Sequence, residues 1–168
     1  VTVVGSAPVT RNGSSPYLGQ IGDRARQMVT ALDEIVWAMN PKHDSLASLV
    51  SYSCLYADQF LKLASINCRL KGAVDFPDRR INSAYRHEFF LAFKEALTNV
   101  VRHSGATEIC LGVKLIGDRL RFSIADNGGG LQPNAATEGN DGLGNMRLRL
   151  QKMGGRFEIA SQPGRGTT

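Results

Sequence analysis

Charge runs, metal-spaced cysteines and long apolar stretches are all missing from this 168-residue sequence. The three cysteines, Cys54, Cys68 and Cys110, are far apart and odd in number. They offer neither a disulfide framework nor a CxxC metal clip, read as small packing residues, and fit a reducing compartment, so a cytoplasmic location is expected. Asp, Glu, Arg or Lys interrupts every apolar run before it reaches the roughly 18 residues of a membrane helix. No charged-then-apolar N-terminal segment resembles a signal peptide, and a soluble chain is expected. Aromatic residues make up only 7% and are not interleaved with a basic cluster, which argues against nucleic acid as a partner. Neither GxxxxGK(S/T) nor a strand–GxGxxG–helix unit is present, so P-loop and dinucleotide-binding folds are excluded.

What is present is enough apolar sequence for a conventional core: 42% hydrophobic and 21% charged residues, with a mean hydropathy of −0.17. Length allows one domain plus an appendage. The net charge of +5 suits a polyanionic ligand and equally suits an ordinary basic surface. Glycine is the anomaly. Thirteen of the eighteen glycines lie from Gly105 onward, which divides the chain into a glycine-poor helical half and a glycine-punctuated half.

Residues 1–16 lack periodicity and read as a linker or loop. From Leu18, the residues Ile21, Ala25, Met28, Leu32, Ile35 and Met39 recur at spacings of three and four. This a/d stripe is widened by Val29 and Val36 toward a bundle face; Trp37 reads as packing. Asn40-Pro41 ends the helix. Asp44 is the expected N-cap of a second helix carrying Leu46, Leu49, Val50, Ala57, Phe60, Leu61 and Ala64. A stripe this regular asks for a partner helix from elsewhere. The chain alone is therefore expected to be monomeric or loosely associated, with the stripe covered by opportunistic contacts.

Strand-like texture continues through Cys68, Leu70, Val74 and Phe76. Ser83 is the expected cap of a long helix reaching His103, with Phe89, Phe93, Leu97 and Val100 on its apolar side. Ile109, Leu111, Val113 and Leu115 alternate, as do Leu120, Phe122 and Ile124, and the Gly117-Asp118 turn between them predicts a hairpin. A helix from Gly142 to Gly154-Gly155, a strand through Phe157 and Ile159, and a turn at Pro163-Gly164 complete the reading. The chain stops where another strand is expected.

Three constellations carry chemistry. Glu95, Asn99 and His103 stand at i, i+4 and i+8, one polar stripe down an otherwise apolar helix. A carboxylate and a carboxamide four residues apart are hard ligands of the kind Mg²⁺ accepts beside phosphate oxygens; a solvated helix face gives the same pattern. Asp126-Asn127-Gly128-Gly129-Gly130 sets a carboxylate at a strand end against backbone that a ligand can approach closely. Such a carboxylate can accept from the exocyclic amine of adenine, and a plain glycine-rich turn also fits. Gly142-Leu143-Gly144 opens a helix whose free N–H groups can meet phosphates.

The order and spacing of these features resemble one family. Glu95-Ala-Leu-Thr-Asn99-Val-Val-Arg-His103-Ser104 resembles the N box of histidine-kinase catalytic domains, Asp126-Asn-Gly128-Gly-Gly130 the first glycine box, and Gly142-Leu-Gly144 the second. Gly164-Arg-Gly166-Thr167-Thr168 is similar to the terminal Gly-Thr stretch of the same superfamily, which includes gyrase, the heat-shock chaperone and the mismatch-repair ATPases. Leu32-Asp-Glu-Ile-Val-Trp37-Ala-Met-Asn40-Pro41 resembles the end of the second dimerisation helix in sensor kinases of the nitrate-sensor type.

The resemblance implies an α+β fold: a two-layer α/β sandwich, its mixed sheet covered by helices on one face, preceded by helices of a partial dimerisation bundle. The implied domains are a linker over 1–16, a partial dimerisation helix with a connecting helix over 17–66, and an ATP-binding catalytic domain over 67–168. By resemblance, Glu95 is catalytic and orients or activates the attacking group, Asn99 holds Mg²⁺, and His103 touches phosphate. Asp126 reads adenine with Thr167 supporting it. Gly128 and Gly130 admit the nucleotide, and Gly142, Leu143 and Gly144 line the phosphates, with residues 131–141 as a lid. The implied ligands are ATP and Mg²⁺.

The implied partners are a phosphoacceptor helix of the same full-length kinase, a response-regulator receiver domain and a second copy of the full-length protein. The implied location is the cytoplasm, as a free protein or as the cytoplasmic part of a membrane-bound sensor. His43-Asp44 and His87-Glu88 imitate the family's His-acid dipeptide, but His43 falls in a helix break and His87 inside the catalytic domain, so the acceptor histidine is expected outside this chain. The alternatives are an anti-sigma-factor-like serine kinase, which has no use for the heptad stripe, and a non-catalytic ATP-binding scaffold, against which Glu95, Asn99 and Asp126 argue.

Overall fold

The alternating run after Thr107 forms the middle strand of a three-stranded mixed sheet. The computed structural model describes residues 40–72, 76–77, 79–131 and 141–168, together with Gln20, Ile21, Arg24, Met28, Leu32, Val36 and Trp37. The chain falls into two compact units, Val1–Trp37 and Ala38–Thr168. In the first, the described residues are helical. Ile21, Met28, Leu32 and Val36 are 60–70% exposed while Trp37 is buried. The stripe positions Leu18, Ala25, Val29, Ile35 and Met39, and the expected linker over 1–16, lie outside the described residues.

In the second unit, helix α1 (Leu46–Leu63) is followed by strand β1 (Asn67–Gly72), helix α2 (Ser83–Asn99), a π turn (Val100–Ser104), strands β2 (Glu108–Ile116) and β3 (Arg119–Asp126), and helix α3 (Asp141–Lys152). The sheet order is β1-β2-β3. β1 runs parallel to β2, with Cys68 beside Ile109, and β2 and β3 form the hairpin expected at Gly117-Asp118, with Leu111 beside Ile124. Side chains of paired residues share a face, so Ile109, Leu111 and Val113 look into the core and are buried.

The helices supply the other layer. α1 buries Leu46, Leu49, Val50, Ser53, Ala57 and Leu61, a face repeating every three to four residues. α2 buries Phe90, Ala92, Phe93 and Leu97. Phe90 sits between Tyr52 and Tyr56 of α1, both at 5.1 Å between ring centroids. On the sheet side, Phe122 of β3 packs on Phe89 at 4.7 Å and Phe93 at 5.5 Å. α3 lies along α2, with Met146 buried and Arg149 paired to Glu88 at 2.7 Å.

Four local expectations are revised. The cap of α1 is Ser45, whose hydroxyl accepts from Ser48 N–H at 3.1 Å, because the carboxylate of Asp44 is taken by Arg86. The cap of α2 is Asn82, whose side chain accepts from Ala84 N–H at 2.7 Å; Ser83 is the first helical residue. The helix does not run unbroken to His103 but widens into the π turn after Asn99. Phe157 and Ile159 do not form a strand. Only Ala160 and Thr168 exchange backbone hydrogen bonds, both at 2.8 Å, and among the described residues nothing pairs with the segment before them. Val74 lies outside the described residues.

Candidate functional site

A groove of about 1870 Å³ opens between α2, the end of β3, the start of α3 and the terminal turn. Asn99, His103, Asp126, Gly130, Leu143 and Thr167 line it, so six of the residues singled out in sequence border one groove. Apolar residues such as Leu120, Phe122 and Phe157 share the rest of the lining with charged ones, Arg79, Asp118 and Arg156 among them.

Asp126 is the last residue of β3 and is built into backbone on two sides. Its Oδ1 accepts from Gly128 N–H at 2.8 Å, and its own N–H donates to the Thr167 carbonyl at 2.9 Å. The Thr167 hydroxyl lies 2.9 Å from Ser161 Oγ. Ser161 also accepts from Leu131 N–H at 2.8 Å, which ties the stretch after the glycines to the terminal turn. Gly129 N–H donates to the Ser104 carbonyl at 2.8 Å, joining the glycine run to the π turn.

Gly128 and Gly166 are among the glycines required here by close approach. A Cβ at Gly128 would stand 2.2 Å from the Ser104 carbonyl oxygen, and one at Gly166 would stand 2.0 Å from the Asp126 carbonyl oxygen, where φ is also +77°. No side chain fits either space, so the carboxylate of Asp126 is presented by bare backbone.

Glu95 and Asn99 face the first turn of α3. Glu95 Oε1 lies 2.5 Å and Asn99 Nδ2 3.7 Å from where a Cβ on Gly142 would be. Asn99 Nδ2 is buried and has no hydrogen-bond partner. A side-chain amide can turn to present its oxygen instead, so this end of Asn99 is a polar group held for a partner the protein does not itself supply. A carboxylate and a carboxamide beside it are the hard-oxygen donors that suit Mg²⁺ kept largely by phosphates and water. Among the described residues no group of three or more His, Cys, Asp or Glu forms a fuller metal cluster.

His103 lies within the π turn and is exposed at the groove rim. Gly144 is exposed with nothing near it and does not line the groove. Residues 132–140 of the expected lid lie outside the described residues.

Sequence reasoning missed Asn127. Its Oδ1 accepts from Thr107 N–H at 3.0 Å and Glu108 N–H at 3.1 Å, and its Nδ2 donates to Thr107 Oγ1 at 3.0 Å, so it fastens the end of β3 to the start of β2. The Asp-Asn pair at a strand end, a usual source of such side-chain turns, was the available signal.

Residues 85–168 match the family described as histidine kinase-, DNA gyrase B-, and HSP90-like ATPase. Over 93 residues the chain is 32% identical to the sensor histidine kinase LiaS of Bacillus subtilis, covering 55% of this chain and 26% of LiaS. Over 98 residues it is 32% identical to the sensor protein VraS of Staphylococcus aureus, covering 58% of this chain and 28% of VraS. The match thus spans about a quarter of the length of these curated relatives.

Two solved structures share the fold. The blue-light activated histidine kinase of Erythrobacter litoralis EL346 aligns at a TM-score of 0.61 with 21% identity, over 92% of this chain and 49% of that one. The histidine kinase AdeS of Acinetobacter baumannii aligns at 0.56 with 13% identity, over 95% and 84%. The matched residues 85–168 carry the groove-lining residues from Asn99 to Thr167, and the chain belongs to the histidine kinase-, DNA gyrase B- and HSP90-like ATPase family.

Proposed function

We propose that this chain is the ATP-binding catalytic region of a two-component sensor histidine kinase. It binds Mg-ATP and serves transfer of the γ-phosphoryl group to a histidine carried outside the chain. The observation that carries the reading is that Asp126, Thr167, Asn99 and His103 all line one groove, with Gly142 holding the start of α3 against Glu95 and Asn99.

Asp126 accepts the exocyclic amine of adenine, and Thr167 holds its backbone in place. Gly128 and Gly130 admit the nucleotide to the backbone, while Gly142 and Leu143 bring the free N–H groups of the α3 start to the phosphates. His103 donates to phosphate from the rim, and Gly144 keeps the first turn of α3 open. Glu95 orients the attacking imidazole by accepting its N–H, which leaves the other ring nitrogen free toward phosphorus. Asn99 holds Mg²⁺ through its amide oxygen, and the cation when bound supplies neutralisation of phosphate charge. The protein's part is positioning and electrostatics.

In the same reading, the exposed Ile21, Met28, Leu32 and Val36 belong to an intersubunit helix seam of the nitrate-sensor type. The full-length protein is then a homodimer that passes its phosphoryl group to a receiver domain in the cytoplasm. Residues 17–66 form the half-hairpin and connecting helix, and 67–168 the catalytic domain.

The test is thermal unfolding with and without Mg-ATP, on wild type and Asp126→Asn. Ligand at 100 times its dissociation constant stabilises by about 2.7 kcal/mol, roughly 5–10 °C for a chain of this size. The reading expects a clear shift with ATP, a smaller one with GTP and none in the variant. No shift in wild type would overturn it.

A further inference from the structure

Arg86 lies in the first turn of α2 with its side chain fully buried. Its Nη1 donates to Asp44 Oδ1 at 2.7 Å and its Nη2 to the Asn40 carbonyl at 3.0 Å. Both partners belong to the connector over 40–45, more than forty residues away in sequence. The same connector is stitched by backbone bonds from Leu46 N–H to the Arg79 carbonyl at 2.8 Å and from Ile81 N–H to the Asp44 carbonyl at 3.1 Å. Ser45 and Arg80 form an antiparallel bridge between the two segments.

None of the nucleotide-site roles above uses this arginine. A buried ion pair is weak evidence for stability and better evidence for a fixed geometry. A guanidinium that bridges a carboxylate and a carbonyl fixes two directions at once, which an ammonium cannot. Asn40 is where the connector begins, directly after the stretch ending at Met39, and α2 is the helix that carries Glu95 and Asn99. From Arg86 those two residues lie about 13 and 20 Å further along one continuous helix.

We propose that Arg86 is a positioning residue for phosphoryl transfer. It clamps the connector onto the nucleotide-site helix, so that Asn40 and the pair Glu95–Asn99 move as one body. The proposal rests on the phosphoryl-transfer reading. Its basis is the sensitivity of such chemistry to placement, since a misplacement of about 1 Å costs on the order of a hundredfold in rate. Losing the clamp leaves the groove intact and loosens only the link between the connector and α2.

The experiment pairs Arg86→Met with Asp44→Ala, which removes both charges and strands neither. Arg86→Lys is measured beside it. Three quantities are read: the Mg-ATP dissociation constant of the 168-residue chain, the rate and KM for ATP of histidine phosphorylation in the full-length protein, and thermal unfolding. The expected result is a folded pair variant whose ATP affinity and KM stay within about threefold of wild type while phosphorylation slows by about tenfold or more, a loss confined to kcat. Arg86→Lys falls between the two.

Phosphorylation by the pair variant within about threefold of wild type overturns the proposal. So does a loss of ATP affinity in step with the rate, which would make Arg86 part of the folding of the nucleotide site. If the pair variant melts below the assay temperature, Asp44→Asn, which keeps the shape and an acceptor oxygen, carries the same comparison. Wild-type protein that binds Mg-ATP but labels no histidine overturns the reading of function, and the clamp's role with it.

Discussion

Gly142 and Glu95 face one another so closely that a Cβ on the glycine would stand 2.5 Å from Glu95 Oε1. The atom in the way is the end of a flexible side chain, so Gly142→Ala displaces the carboxylate rather than the backbone. The expected result is a melting temperature within about 2 °C of wild type and a phosphorylation rate in the full-length protein lower by about tenfold or more. A variant as active as wild type would remove Glu95 from the reaction.

Gly166 and Gly154 both hold left-handed φ angles, +77° and +70°, but only Gly166 is also crowded, at 2.0 Å from the Asp126 carbonyl oxygen. Gly154→Ala therefore carries the conformational penalty alone, about 1 kcal/mol, and lowers the melting temperature by roughly 2–4 °C. Gly166→Ala adds the collision, breaks the bond from Asp126 N–H to Thr167, and is expected to lose at least twice as much together with ATP binding. Thermal scans of the two variants with and without Mg-ATP make the comparison; equal losses would show that the contact with Asp126 is immaterial.

Cys68 has its thiol pushed up to about 11, by burial first and then by Asp58, Cys54 and Cys110. A raised thiol favours the neutral form in the folded state. Its contribution to stability is therefore complete below the ordinary value of 9.0 and is lost as pH rises from there toward 11. Denaturation midpoints are expected to fall over that window, and less so in Cys68→Ala. At pH 8 the native thiol is expected to alkylate about tenfold more slowly than a free cysteine, the smaller thiolate fraction being partly offset by the greater nucleophilicity of a more basic thiolate. Rapid native labelling of Cys68 contradicts this.

The parts of the fold legible in the sequence are those with local causes. The hairpin at Gly117-Asp118, the apolar alternation of β2 and the glycine signals around α3 all act within a few residues. Asn99, Asp126 and Thr167 stand out for the same reason, since each belongs to a short motif. The features that escape depend on distant partners. Asp44 has the sequence of a helix cap, but Arg86, 42 residues on, claims its carboxylate, and the cap falls to Ser45. Phe157 and Ile159 alternate as a strand does, but alternation reports only a face, and a strand also needs a neighbour to share its hydrogen bonds. Arg86 itself gives no signal: in sequence nothing sets it apart from Lys94, the other cation of the same helix, and both read as surface.

The π turn over Val100–Ser104 has a further consequence. It winds with more residues per turn than the helix before it, and it ends at Gly105 with φ +63°. The Ser104 carbonyl that receives Gly129 N–H sits at the far end of this wide turn. The wide winding uses one residue more than an ordinary helix needs for nearly the same rotation. Deleting one residue from the turn would therefore let an ordinary helix form and still bring the Ser104 carbonyl to nearly the same side of the helix axis, facing the glycine run. Between Asn99 and Gly105 the extra residue is taken up by the winding, and the junction with Gly129 does not depend on it.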